Sequence, residues 1–144
     1  DPAYAEKAAK ISSLALDLSE VVAVENPTDL PKGNSRRVAY HSPCTLQHGQ
    51  KVHGRVEELL RRYGWQLARV SDGHLCCGSA GSYSLLQPSI ADRLLKNKLA
   101  VLEEDKPELI ASANIGCLLH LGKESHLPVR HWIELLDPVA GESW

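Results

Sequence analysis

The 144-residue sequence has no methionine and no phenylalanine, and it begins Asp1-Pro2-Ala3. We therefore expect it to be a piece of a longer protein. No apolar stretch approaches the ~20 residues that a membrane-spanning helix requires. No charged segment followed by an apolar one opens the chain, so a secretory signal is also not indicated.

The sequence has no large excess of charge of either sign. It contains 16 Lys and Arg against 18 Asp and Glu, which gives a net charge of −2 and a pI near 6.4. Nucleic-acid-binding domains usually carry a basic stripe, so we expect no nucleic-acid partner. Hydrophobic residues make up 43% of the chain, and its length suits one soluble domain spanning residues 1–144.

The chain has only four cysteines, and no two of them form a Cys-x-x-Cys redox motif. Disulfide frameworks belong mainly to small secreted proteins, so we expect free thiols here. A bond between the adjacent Cys76 and Cys77 is disfavoured because neighbouring Cα atoms lie about 3.8 Å apart, whereas ordinary disulfides need about 4.4–6.8 Å.

Hydrophobic periodicity predicts an α/β fold. An amphipathic helix is predicted over residues 4–24, with Ile11, Leu14, Leu18 and Val21 on one face, followed by a loop to residue 34. This segment, residues 1–34, is expected to pack on an α/β core of residues 35–144. Strands are predicted at 37–41, 65–70, 109–113 and 128–131, and helical segments at 45–63, 88–104, 117–122 and 132–136. Such alternation is typical of Rossmann-like βαβ units and a mostly parallel sheet with flanking helices.

Each cysteine follows a predicted strand. Cys44 comes three residues after its strand, Cys76 six after the next, and Cys117 four after the third. Crossover connections bring the carboxyl ends of parallel strands to one edge of the sheet, so the four thiols are expected to meet there. Four separate buried cysteines acting as small apolar side chains are the alternative.

Thiolates at one edge predict a metal site. Four soft sulfur ligands suit zinc or an iron–sulfur cluster, and His120, three residues after Cys117, could be a fifth ligand or replace a thiolate. A closed zinc site of three Cys and one His is therefore an alternative. A third reading is an enzyme with Cys76 or Cys77 as nucleophile.

Other residues near the cysteines are candidates for supporting roles. His41 and His74 could donate hydrogen bonds to sulfur, and Gly78 and Gly81 would let the backbone approach a bulky ligand closely. His48, four residues after Cys44, is a further candidate ligand. The lysines and arginines at 93–98 are expected on a solvated helix face.

Three motifs resemble those of the cysteine-rich CCG domain family, namely YHSPC at 40–44, CCGSAG at 76–81 and NIGCLLHL at 114–121. The family occurs in heterodisulfide reductase, in the iron–sulfur subunits of glycolate oxidase and anaerobic glycerol-3-phosphate dehydrogenase, and in lactate-utilisation proteins. The resemblance extends over essentially the whole chain and is strongest to the carboxyl-terminal part of the iron–sulfur protein of glycolate oxidase.

The resemblance implies a bacterial electron-transfer subunit that is not itself catalytic. Its partners would be flavin-containing subunits that oxidise glycolate to glyoxylate, and its location would be cytoplasmic or peripheral at the inner face of the inner membrane. Cys44, Cys76, Cys77 and Cys117 would bind an iron–sulfur cluster of [4Fe–4S] type. In heterodisulfide reductase, the corresponding cysteines are associated with non-cubane clusters.

The chain departs from the family pattern at one ligand position. The pattern ends in Cys-x-x-Cys, whereas this sequence has His120 at the last position. A non-cubane cluster, a cubane cluster, a zinc site and a site with one histidine ligand are the alternatives that this departure leaves.

Overall fold

A computed structural model describes residues 1–33 and 35–137 of the chain. It confirms the α/β class and shows a four-stranded sheet in the order β2-β1-β3-β4. Every pair of neighbouring strands is parallel. The strands are β1 (Arg37–His41), β2 (Gln66–Leu67), β3 (Leu109–Ser112) and β4 (Val129–His131).

The two central strands, β1 and β3, set the position of the carboxyl edge. Val38 lies opposite Leu109 and His41 opposite Ser112. All four residues of β3 and the last four of β1 are buried, as expected where helices cover both faces of a parallel sheet. At the edge itself, the Ser112 hydroxyl donates a hydrogen bond of 2.9 Å to the His41 carbonyl oxygen.

Helices cover both faces of this sheet. They are α1 (Ala5–Leu14), α2 (Leu18–Glu25), α3 (Arg55–Arg62), α4 (Tyr83–Leu86), α5 (Pro88–Glu103) and α6 (Ile115–Leu121), with a π-helical turn at Thr45–Gly49 and a 3-10 helix at Trp132–Leu136. None of the helices described is both long and apolar enough to cross a bilayer.

Successive residues of a strand point to opposite faces of the sheet, so the core has two parts. Val38 and Tyr40 face one cluster with α2, α3 and the 3-10 helix. Ala39 and Ile110 face a second cluster with α5 and α6. This second cluster includes Cys77 and Cys117, so the candidate site begins where the core ends.

The predicted single helix over residues 4–24 is wrong, because the chain breaks into α1 and α2. Asp17 caps α2: its carboxylate accepts from the Ser19 amide at 2.8 Å, and Glu20 accepts from the Asp17 amide at 2.9 Å. In such a capping box, side chains accept hydrogen bonds from amides at the start of the helix. In a continuous helix, carbonyl oxygens of the preceding turn would accept them. The apolar residues predicted for its first part are uncovered, since Ile11 and Leu14 are 69% and 71% exposed.

Two further segments are shorter than predicted, whereas a third agrees. The strand predicted at 65–70 is limited to Gln66–Leu67. The helical segment predicted at 45–63 consists of the π-helical turn and α3, which are separated by residues 50–54, with Gly54 at φ +70°. Helix α5 agrees with its prediction to within one residue.

Candidate metal centre

Three loops at the carboxyl edge of the sheet enclose a cavity of about 400 Å³. All four cysteines line it, and all four are free thiols. The remaining wall consists of small or polar residues from the same loops: Pro43, Thr45, Ser79, Ala80, Gly81, Asn114 and Gly116. The parallel topology therefore brings together four thiols from three separate loops of the sequence.

Cys44 and Cys117 are held by the turns that follow the central strands. Cys44 directly precedes the π-helical turn, whose first amides donate to the Pro43 carbonyl oxygen at 3.0 Å. Cys117 lies in the first turn of α6, where the Asn114 side chain caps the helix. The Asn114 oxygen accepts from the amides of Gly116 at 2.9 Å and Cys117 at 3.3 Å. Both thiols are thus positioned by backbone that starts a helical turn.

Gly78 allows the loop with Cys76 and Cys77 to lie directly against α5. Its φ is +95°, and an added Cβ would lie 2.5 Å from the Ala91 carbonyl oxygen and 3.1 Å from the Leu94 Cβ. No side chain fits there, so only glycine permits this approach. The Gly78 amide also points back to the Cys76 sulfur at 3.3 Å. The loop is therefore held at the residue that follows the cysteine pair.

The deepest part of the site contains a histidine and two cysteines. The ligand atoms of His41, Cys77 and Cys117 all lie within 4.8 Å of one another, and all three residues are buried. Neither ring nitrogen of His41 has a hydrogen-bond partner, although the residue is only 1% exposed. Buried nitrogen atoms normally find partners, so this ring is available to a ligand or to sulfur.

The buried thiols share one proton. The pKa of Cys77 is lowered to about 4, chiefly by a hydrogen bond from Cys117 and also by His41, against the opposing effect of burial. The same hydrogen bond raises the pKa of Cys117, and burial adds to that increase. Burial also raises the pKa of Cys44, with the charge of Cys76 as the next cause. Cys77 is therefore the thiolate and Cys117 the donor in the metal-free chain.

His120 lies behind the cysteine loop rather than in the wall of the cavity. It is 3% exposed, and its Nε2 atom has no hydrogen-bond partner. That nitrogen lies 3.1 Å from the position of a Cβ on Gly78. His120, the residue at which the sequence departs from the pattern it resembles, thus lies beside the cysteine pair. Its Nε2 atom makes no hydrogen bond there.

Two candidates from the sequence do not reach the cavity. His74 is exposed and lines a separate groove with Tyr40 and His53. His48 is exposed on the π-helical turn. Being near a cysteine in sequence does not bring these imidazoles to the thiols, because both belong to solvent-facing turns.

Lys98 is a buried residue of this region that the sequence prediction assigned wrongly to a solvated helix face. It is 1% exposed on the buried stripe of α5, seven residues after Ala91 and three after Leu95. That spacing is the signal that could have identified it. Burial lowers the pKa of its ammonium group, and the charge of Cys77 is the largest opposing effect.

The structure supports the fit of a cluster through its donor set. Soft thiols, one of them a thiolate, surround a cavity larger than one ion, and two buried imidazoles have unpartnered nitrogens. Cys44 and Cys76 are half-buried at its mouth, whereas Cys77 and Cys117 form its base. A sulfur-ligated metal group would satisfy the four thiols together.

Substitution of Gly78 by alanine tests the close approach to α5. Gly78→Ala should lower the free energy of unfolding by about 2–4 kcal/mol, because it adds a steric overlap to a left-handed backbone. Gly81→Ala is the matched control, since Gly81 also has positive φ, +61°, but open space around its Cβ position. It should cost only about 1 kcal/mol. Equal losses in urea unfolding of the two metal-free variants would contradict this account.

The shared proton should be visible by thiolate ultraviolet absorbance of the metal-free, reduced chain. The folded chain should show one thiolate at pH 6, lost as the pH falls through about 4, whereas the unfolded chain should show none because its thiols have pKa values near 8.5. Because folding lowers this pKa, the stability it contributes is fully present above the unfolded value and is lost towards pH 4.

Two cysteine variants test which neighbouring cysteine stabilises the thiolate. Cys117→Ala removes the hydrogen-bond donor and should abolish the signal at pH 6, whereas Cys44→Ala should retain it. A folded wild-type chain with no thiolate at pH 6 would refute the shared proton.

Comparison with known proteins places these features in a family. The family model for the CCG cysteine-rich domain matches residues 38–122, which include all four cysteines and His120. The glycolate oxidase iron-sulfur subunit of Escherichia coli K12 is 48% identical over 137 residues, covering 95% of this chain and 34% of that protein.

Two Bacillus subtilis proteins are more distant relatives. Lactate utilization protein A is 26% identical over 95% of this chain and 60% of its own length. A probable glycolate oxidase iron-sulfur subunit is 28% identical over 98% of this chain and 34% of its own length. The chain thus spans about a third of the glycolate oxidase relatives.

The matched region contains β3, all of β1 except Arg37, and every cysteine loop, and it exceeds half of the chain. The chain belongs to the CCG cysteine-rich domain family.

Proposed function

We propose that this chain is an electron-transfer module that binds an iron–sulfur cluster. The observation that supports this most directly is the convergence of all four thiols on one cavity in a relative of a glycolate oxidase iron-sulfur subunit. Cys44, Cys76, Cys77 and Cys117 would be the cysteine ligands, and His120 a fifth ligand in place of the usual cysteine. The proposed cluster is of [4Fe–4S] type.

When bound, such a cluster would supply reversible one-electron transfer. The chain's own residues would set the conditions for it. Cys77 is already deprotonated in the metal-free chain, so binding there needs no proton release, whereas Cys117 must lose its proton. His41 would donate a hydrogen bond to sulfur from below, which stabilises the electron-rich form.

The proposed physiological setting follows from the relatives. We propose that the chain works within the iron–sulfur subunit of a glycolate-oxidising complex and receives electrons from flavin-containing subunits. Its proposed location is cytoplasmic, with the complex at the inner face of the bacterial inner membrane. The half-buried Cys44 and Cys76 at the mouth of the cavity would face the electron donor or acceptor.

Anaerobic reconstitution with ferrous iron and sulfide tests cluster binding. Wild type should take up iron and sulfide in equal amounts and give charge-transfer absorption and a spin-resonance signal after reduction. The Cys76→Ser, Cys77→Ser double variant should lose most of both. The Ser82→Ala, Ser84→Ala double variant, at the start of α4 just after the same loop, should behave as wild type. Equal signals from the two double variants would exclude these ligands.

The histidine at the departing position has its own readout. His120→Ala should change the spin-resonance spectrum while the chain remains folded, because a nitrogen ligand is lost. His126→Ala, at an exposed position shortly after α6, is the control and should leave the spectrum unchanged. An unaltered spectrum in His120→Ala would remove this residue from the ligand set.

A zinc-binding structural or subunit-docking domain is the second candidate. This candidate is favoured because the ligand atoms of His41, Cys77 and Cys117 all lie within 4.8 Å of one another. Zinc bonds of about 2.3 Å to sulfur and 2.0 Å to nitrogen place tetrahedral ligand atoms roughly 3.5–4 Å apart. In this arrangement His41 is a direct ligand, and Cys76 is dispensable.

The two candidates predict opposite results at two positions. If a single zinc ion is bound, His41→Ala should abolish stoichiometric metal binding and Cys76→Ser should retain it. If a cluster is bound, Cys76→Ser should reduce iron and sulfide content, and His41→Ala should retain the cluster with an altered potential. Elemental analysis of anaerobically purified variants distinguishes these patterns.

A further inference from the structure

Lys98 is a buried cation beside the metal centre. Its ammonium nitrogen donates to the carbonyl oxygens of Gly73 at 3.1 Å and Asp72 at 3.3 Å. It is the only fully buried lysine or arginine among residues 1–33 and 35–137. Taking an ammonium group out of water is costly unless hydrogen bonds and opposite charge compensate it. The two carbonyls satisfy hydrogen bonds but carry no net charge.

Most of the groups whose negative charge would act on Lys98 are cysteines of the site. Cys77 has the largest electrostatic effect on the ammonium, followed by Cys44, Asp72 and Cys76. None of the ion pairs found in the described part of the chain includes Lys98. Among the groups that would compensate this cation, three of the four are thus sulfur ligands of the proposed centre.

Lys98 also belongs to a hydrogen-bonded bridge between two cysteine loops. The Gly73 carbonyl that accepts from Lys98 also accepts from the Gln47 side chain at 3.4 Å. The same Gln47 nitrogen donates to the Ser42 carbonyl at 2.6 Å. Because Ser42 precedes Cys44 and Gly73 precedes Cys76, this bridge links the backbone before both thiols to α5.

We infer that Lys98 is a positioning residue of the metal centre. Its ammonium anchors the loop that leads into Cys76 and Cys77, and its positive charge offsets the negative charge of the sulfur ligands. The redox part of this inference rests on the proposed cluster. A fixed positive charge stabilises the more negative, reduced state, so Lys98 raises the reduction potential.

Three variants separate charge from packing. Lys98→Met keeps a long unbranched side chain but removes the charge and the donors, whereas Lys98→Arg keeps both. Lys96→Met is the matched control, because Lys96 is exposed on the same helix. Redox titration of each reconstituted chain, followed by spin resonance, gives the potential. Hydrogen exchange of the metal-free chains gives the protection of the amides at 73–78.

At a fixed ambient potential, Lys98→Met should raise the ratio of oxidised to reduced cluster by at least about threefold, since a nearby unit charge is lost. Lys98→Arg and Lys96→Met should remain close to wild type. A potential in Lys98→Met equal to that of wild type, or an equal shift in Lys96→Met, would overturn the inference.

Hydrogen exchange decides the case in which no potential can be measured. If wild type itself takes up no cluster, the proposed function fails, but Lys98 can still be judged by exchange. Faster exchange of the loop amides in Lys98→Met, with protection retained in Lys98→Arg, would support the anchor. Equal protection in wild type and Lys98→Met would overturn it, including where Lys98→Met loads no metal.

Discussion

The site depends on the parallel pairing of β1 with β3. This pairing sets His41 opposite Ser112, and the buried hydrogen bond between them closes the end of the two strands. Both strands leave the sheet at the same edge, and the turns that follow place Cys44 and Cys117 in the wall of one cavity. An antiparallel pair would send the two chain segments in opposite directions and separate the thiols by the length of the strand.

Burial of the sulfur atoms then creates a problem of charge. A thiolate in a dry site needs compensation, and the structure offers it from three sides: the Cys117 donor, the His41 ring and the Lys98 ammonium. These groups belong to different elements, namely α6, β1 and α5. The pair of Cys77 and Cys117 therefore couples the packing of several elements. The polar residues of the core are concentrated where a cofactor would bind.

The sequence predicted the parts of the molecule in which local pattern and tertiary structure agree. Strong periodicity identified α5, and the position of each cysteine after a strand identified the common edge. It failed at the first helix because apolar spacing alone does not distinguish a buried face from an exposed one, and because Asp17 can cap a second helix. Lys98 was missed because residue type suggested solvent, whereas its helical position placed it in the core.

His41 shows a different limit of sequence reasoning. Its place three residues before Cys44 suggested a supporting role, yet the strand carries it under a thiol from each of the two other loops. That geometry follows from strand register, which no local motif encodes. Residues that reach a site from the end of a strand are therefore found only when the pairing of the strands is known.

Helix α1 contributes no buried residue, whereas α2 places Val22 in the core. A ten-residue helix that buries no side chain is marginal in water, so its own helix–coil equilibrium governs α1. In thermodynamic terms, the cooperative unit starts at the Asp17 cap, and α1 can melt without loosening the sheet or the cysteine loops. Global denaturation measurements on this chain would thus report on the metal centre and its sheet, and be almost silent about its first helix.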